Sequence, residues 1–147
     1  MSTIVPMAAK RPDLAAMLAP LLRDLIAAEQ PVLDAHELSM WGYVVLLALD
    51  RSPVRTQAAL AEAIGADKTR IIPVLDELQA QGHIERHPDP DDRRVRLLAV
   101  TKSGRAVKDS VQTAIQRGEE RWLSALPADD RRVFLRVLIQ LTQNDEP

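Results

Sequence analysis

The chain has 147 residues, a net charge of −2 and a composition that is 46% hydrophobic and 27% charged, which suits one ordinary globular domain. It contains no cysteine, which excludes disulfides, thiol redox sensing and cysteine metal sites. No apolar run approaches the roughly 18 residues that span a bilayer, and Met1 to Met7 lacks the charged start and apolar segment of a signal peptide, so a cytoplasmic location without a membrane partner is expected.

Residues 1–11 read as a loose arm. From Asp13 onward, Leu14, Leu18, Leu21, Leu22, Leu25 and Ile26 recur at helical spacing and predict a first helix. Pro20 should kink it, and Pro31 should bend or end it, leaving room for another helical turn before Glu37. So apolar a helix needs a partner surface, in its own domain or in a second subunit. Ser39 suits an N-cap, with Leu38 and Tyr43 placed as a hydrophobic staple. The following helix, Met40 to Leu49, is apolar nearly all round and therefore central. Asp50 to Arg55 is a connection with room for one or two residues of a third strand.

Thr56 caps a short helix from Gln57 to Ile64, and Gly65-Ala66-Asp67 turns into the next one. There Ile71, Leu75 and Leu78 share a face, Asp67 caps the start, and Gly82 marks the end. These two helices make a helix-turn-helix. Strand potential follows at His83 to His87, then the turn Pro88 to Asp92, then period-2 alternation from Val95 to Val100. Arg93 and Arg94 lie at the tip. A helix followed at once by such a ribbon is the layout of a winged helix-turn-helix, with the helix in a major groove and the tip at an adjacent minor groove of double-stranded DNA.

Thr101 caps a long helix to about Ala125, striped by Val107, Val111, Ala114, Gly118 and Trp122. Pro127 starts the last helix, where Asp129 and Asp130 suit the positive end of its dipole and Phe134, Val137, Leu138 and Leu141 form its buried face. The expected fold class is mainly α (α+β): one domain over 1–147, with a winged helix-turn-helix lobe at 39–100 and dimerisation helices at 12–37 and 101–144. The terminal helices carry more apolar surface than a small winged lobe covers, so a homodimer is expected.

The charge balance permits DNA binding without demanding it. Residues 1–50 hold three cations against six acids, whereas residues 86–105 hold six cations against three acids. Arg70 is the candidate base reader, because a guanidinium can bond guanine O6 and N7 together, worth roughly 1–3 kcal/mol of discrimination. Gln57, Lys68 and Thr69 are phosphate candidates, and Arg86, Arg93 and Arg94 complete the cationic set. Arg94 is assigned groove insertion, with Asp92 orienting it through a charge-assisted hydrogen bond. The plainer alternative makes Arg93 and Arg94 solvated turn charges paired with Asp91 and Asp92.

His36, Met40, Trp41 and Tyr43 could line a pocket for a small organic effector, with core packing as the alternative for Trp41 and Tyr43. His83 and His87 lack a third ligand at a metal-binding spacing, so no metal is expected. There is no Gly-rich phosphate loop, nucleophile elbow or His–carboxylate pair at catalytic spacing, so neither catalysis nor a cofactor is expected.

Several motifs together resemble the MarR family of bacterial transcriptional regulators. They are Thr56-Gln57 with Leu60-Ala61, Asp76-Glu77-Leu78 with Gly82, Asp89-Pro90-Asp91-Asp92-Arg93-Arg94, and Leu98 to Thr101 with Gly104. The resemblance implies a homodimeric repressor on a pseudo-palindromic operator, released when a small molecule changes the spacing of the two lobes. Recognition helices then sit roughly 34 Å apart. Pro73 departs from the family, which often has a polar or basic residue there. Either the helix begins nearer Arg70, or it is kinked, and base reading falls on Lys68, Thr69 and Arg70. The alternative function is a winged-helix protein-interaction module.

Overall fold

Four side-chain caps set where helices begin. The structure, a computed structural model, describes residues 10–52 and 54–143; the expected N-terminal arm lies almost wholly outside them. Ser39 Oγ accepts from Gly42 N at 2.9 Å and starts α2 (Met40–Arg51). Thr56 Oγ1 accepts from Ala59 N at 3.0 Å and starts α3 (Gln57–Ile64). Asp67 Oδ1 accepts from Thr69 N at 2.8 Å and starts α4 (Lys68–Ala80), and Thr101 Oγ1 accepts from Gly104 N at 3.0 Å to start α5 (Lys102–Leu123). Each cap satisfies a backbone donor that the helix itself leaves open.

Ahead of them α1 runs unbroken from Leu14 to Ala35, with Pro20 and Pro31 both inside. The expectation that Pro31 ends or bends this helix into a separate turn is therefore corrected as to its end. A proline removes one intrahelical bond, and the bonds on either side outweigh it. The helix stops instead at Glu37, whose φ of +57° reverses the chain. Glu37 N donates to Asp34 O and Leu38 N to Leu33 O, the Schellman pattern that more often carries glycine. The same pattern ends α3 at Gly65, with φ +69°, and α4 at Gly82, with φ +80°. The last helix, α6, spans Ala128–Gln143.

Three antiparallel strands form a sheet in the order β1 (Val54–Thr56), β3 (Arg96–Val100), β2 (Ile84–Pro88). The register pairs Ile84 with Val100 and Pro88 with Arg96, so β2, β3 and their connection make the wing. The core sits beneath it. Leu46 and Leu49 of α2, Leu60 of α3, Ile71, Leu75 and Leu78 of α4, Ile84 of β2, Leu98 of β3 and Val111 of α5 are all buried. Truncating such a leucine to alanine costs about 2–5 kcal/mol.

Within the single chain α6 has no buried residue: Val137 and Leu138 are exposed, and Leu141 is 61% exposed, so the burial expected of this face requires a partner surface. The same holds for Leu14, Met17, Leu18, Leu22 and Ile26 on α1. A cleft of about 350 Å³ runs between these helices and α5, lined by Leu18, Leu22, Trp122, Phe134 and Leu138 among others. No single helix among the described residues is long and apolar enough to cross a membrane.

Candidate nucleic-acid interface

Helix α4 begins at Lys68, so Lys68, Thr69 and Arg70 occupy its exposed first turn. Pro73 consequently lies inside the second turn, which rules out a helix start near Arg70. The carbonyl of Thr69 has no proline N–H to receive. Asp67 anchors this end: its carboxylate accepts from both Thr69 N and Thr69 Oγ1, at 2.8 and 2.6 Å. The hydroxyl and backbone hydrogen bonds from Thr69 hold the Asp67 carboxyl below the usual carboxylate range. In this DNA-free chain the Thr69 hydroxyl therefore donates to Asp67. Lys68 and Arg70 stay exposed.

The wing tip is built by its aspartates. Asp89 N donates to Val95 O at 2.9 Å, Asp92 N to Asp89 O at 3.2 Å, and Asp91 N to Asp89 Oδ1 at 2.9 Å. Asp92 Oδ1 accepts from Arg94 N at 3.1 Å and lies 3.4 Å from Arg94 Nε. Arg94 nevertheless keeps 92% of its side chain exposed, and Arg93 is exposed too. An exposed ion pair of this length contributes little to folding, about 0–1 kcal/mol. Its effect is to restrict the direction in which the guanidinium points.

Arg86 is placed elsewhere. On β2 it shares the inward face with Ile84, and only 21% of its side chain is exposed. Its guanidinium donates to Asp76 and, at 2.7 Å, to Gln79 Oε1, both on the flank of α4. Arg86, expected among the DNA contacts, thus ties the wing to α4 in this structure. The period-2 alternation from Ile84 already carried that signal.

Gln57 opens α3 just after the Thr56 cap and is half-buried. The first backbone N–H groups of that helix have no intrahelical acceptor and suit a phosphate.

Of the four residues expected around an effector, only Trp41 lines one of the larger clefts. That cleft, about 270 Å³, lies between α2 and the start of α4, with Gly65, Asp67, Arg70, Ile71 and Val74. Trp41 is 46% exposed there. His36 instead caps the end of α1, its Nδ1 2.8 Å from Val32 O. Met40 packs against the core and Tyr43 is buried in it. Burial raises the Tyr43 hydroxyl, with Glu29 and Glu119 adding to the effect and Lys108 opposing it. The shared-pocket expectation is corrected for His36, Met40 and Tyr43. Met40 and Tyr43 fall on the inward side of α2, three residues apart.

Lys108 was invisible to pattern reading. It is buried on α5 and bonded to Asp50 Oδ2 at 2.8 Å and Asp109 Oδ1 at 2.5 Å, while Arg105 Nε donates to Asp50 at 3.1 Å. Hydrogen bonding from Lys108 holds Asp50 below the usual carboxylate range, and its two carboxylate partners raise Lys108. The cluster clamps the end of α2 to α5. His83 lies 3.0 Å from Ser103 Oγ and His87 3.2 Å from Glu85, and no group of three metal-ligating side chains exists among the described residues.

This arrangement presents an arginine at a helix start and another at a hairpin tip, the two reach points needed for adjacent grooves. Comparisons with known proteins agree. The MarR family profile matches residues 36–95, from the α1–α2 joint to the tip of the wing. The HTH-type transcriptional repressor NicR of Pseudomonas putida is 29% identical over 110 residues, which are 75% of this chain and 70% of NicR. The PcaV transcriptional regulator of Streptomyces coelicolor, solved in complex with its natural ligand, has a TM-score of 0.65 at 29% identity, covering 92% of this chain and 99% of PcaV. The transcriptional repressor CouR, solved on a 23-mer DNA duplex, shares the fold at a TM-score of 0.76 and 24% identity, covering 97% and 99% of the two chains. With its capped helix-turn-helix and aspartate-built wing, this chain shares the fold of these winged helix-turn-helix regulators and resembles the MarR family over residues 36–95.

Proposed function

We propose that the chain acts as a homodimeric repressor that binds a pseudo-palindromic operator and is released by a small organic effector. The observation that carries the dimer is the unpartnered apolar surface of α1 and α6, with Leu22, Ile139 and Leu141 each more than half exposed. Patches of this kind mark association surfaces. Two copies joined there would present two α4 helices and two wings. Arg70 is the proposed base reader, Lys68, Arg93 and the start of α3 at Gln57 the phosphate contacts, and Arg94 the minor-groove contact set by Asp92.

CouR on its duplex supports the DNA partner, and PcaV with its ligand supports an effector. A planar organic molecule beside Trp41 would stand against Arg70 and compete with a base for it. The reading places the protein in the cytoplasm with its DNA.

Binding-site selection from random duplexes, followed by titration at several salt concentrations, tests this function. An inverted-repeat consensus and an affinity falling steeply with salt are expected. Salt-independent binding, or no enriched sequence, would leave a protein-interaction module instead. Sedimentation equilibrium gives the assembly, with two chains expected.

A further inference from the structure

The C-terminal end of α4 is held on two sides by the segments that join the winged lobe to the flanking helices. On one side, Thr101 Oγ1, at the start of α5, donates to Gly82 O at 2.7 Å. On the other, Gln81 Nε2 donates to Glu37 O at 2.9 Å, reaching across 44 positions of sequence to the joint between α1 and α2. That joint is the reversal at Glu37, a left-handed residue with a Cβ, which is intrinsically disfavoured and needs its surroundings to persist. Gln81 Oε1 meanwhile is buried with no hydrogen-bond partner among the described residues. A buried, half-satisfied amide is a costly choice for mere packing, since an apolar side chain of like size fits without an orphaned acceptor.

We propose that Gln81 is a positioning residue: its amide fixes the recognition helix against the α1–α2 joint, and so sets how far apart two such helices stand on an operator. The inference rests on the homodimeric operator-binding reading above. The buried Ile71, Leu75 and Leu78 hold α4 in the lobe, and the Thr101 contact ties its end to α5. The Gln81 contact adds a side-chain tie from the same end to the joint that leads into α1, the helix whose exposed apolar face meets the partner.

The test compares wild type, Gln81→Met and Gln81→Lys on the selected operator and on versions with one base pair inserted or removed at its centre. Methionine removes both the donor and the orphaned acceptor, whereas lysine keeps a donor at the end of a flexible stem. The methionine variant should melt at or above wild type and remain a dimer. It should bind the operator about fivefold more weakly, the factor for one lost hydrogen bond, and discriminate less between the three spacings. The lysine variant should retain the wild-type spacing preference.

Unchanged affinity and preference in the methionine variant would overturn the inference. So would an equal loss on all three spacings, which is what a purely structural role gives. If the methionine variant fails to fold, the lysine variant decides, and loss of its spacing preference counts against the inference. Absence of any duplex binding by wild type would defeat the DNA-binding reading itself, and is recognised before any variant is compared.

Discussion

Gly104→Ala is a small change with a large expected effect. A Cβ on Gly104 would lie 2.1 Å from the His83 carbonyl oxygen, 2.9 Å from its carbon and 3.0 Å from Val100 Cγ2. The valine methyl can rotate away, but the carbonyl is backbone. Restoring ordinary contact needs a shift of more than 1 Å between α5 and the start of β2, about the scale at which overpacking costs 1–3 kcal/mol. Such a shift also strains Thr101 N to His83 O at 3.0 Å and the Thr101 cap on Gly104 N, each worth about 1 kcal/mol. Alanine returns up to about 1 kcal/mol through helix propensity. The net loss is about 1–4 kcal/mol, or a fall of roughly 3–15 °C in Tm for a chain of this size. Thermal melts followed by far-ultraviolet circular dichroism measure it. Gly118→Ala is the control, since its added Cβ meets nothing within 4 Å and should raise Tm slightly. A Gly104→Ala protein melting at or above wild type would refute the packing argument.

Arg94→Ala should weaken operator binding at least tenfold while sedimentation still reports a dimer, and should reduce the magnitude of the salt slope by about one; unaltered gel-shift titration would remove Arg94 from the interface. Arg70→Ala should change which operator variants are preferred, at about 1–3 kcal/mol for the base it reads, whereas a uniform loss across variants would make it a phosphate contact. Burial raises the carboxyls of Glu29 and Glu119, with Glu119 adding to the first and Glu120 to the second. A carboxyl raised on folding binds its proton more readily in the native state, so stability from this pair should grow as pH falls from 7 through the raised values toward 4.5. Glu29→Gln should raise Tm at pH 7 and flatten that pH dependence; an unchanged pH profile would show that these carboxyls titrate alike folded and unfolded.

Capping and periodicity were legible because they depend on neighbours in sequence. Ser39, Thr56, Asp67 and Thr101 each cap the helix they precede. The third strand, at Val54–Thr56, also lies where the connection had room for it. What pattern reading missed depends on distant partners. Arg86 looked like a wing cation because Asp76 and Gln79 sit on another element. Lys108 was not singled out, because its partner Asp50 is 58 positions away. The face of α6 was expected to be buried against a second subunit, and within one chain it stays exposed. Pro31 was given too much weight as a breaker, since local rules predict a cost and not an outcome.

The attachment of Arg86 to Asp76 and Gln79 bears on how an operator is measured. On the proposed operator-binding reading, a hairpin and helix tied side by side would make each lobe a caliper with fixed jaws. A half-site whose two touch points are displaced by one step cannot be accommodated by the protein flexing between them. The duplex must bend or twist instead, and sequences that deform easily between the touch points would gain affinity at bases no side chain reaches.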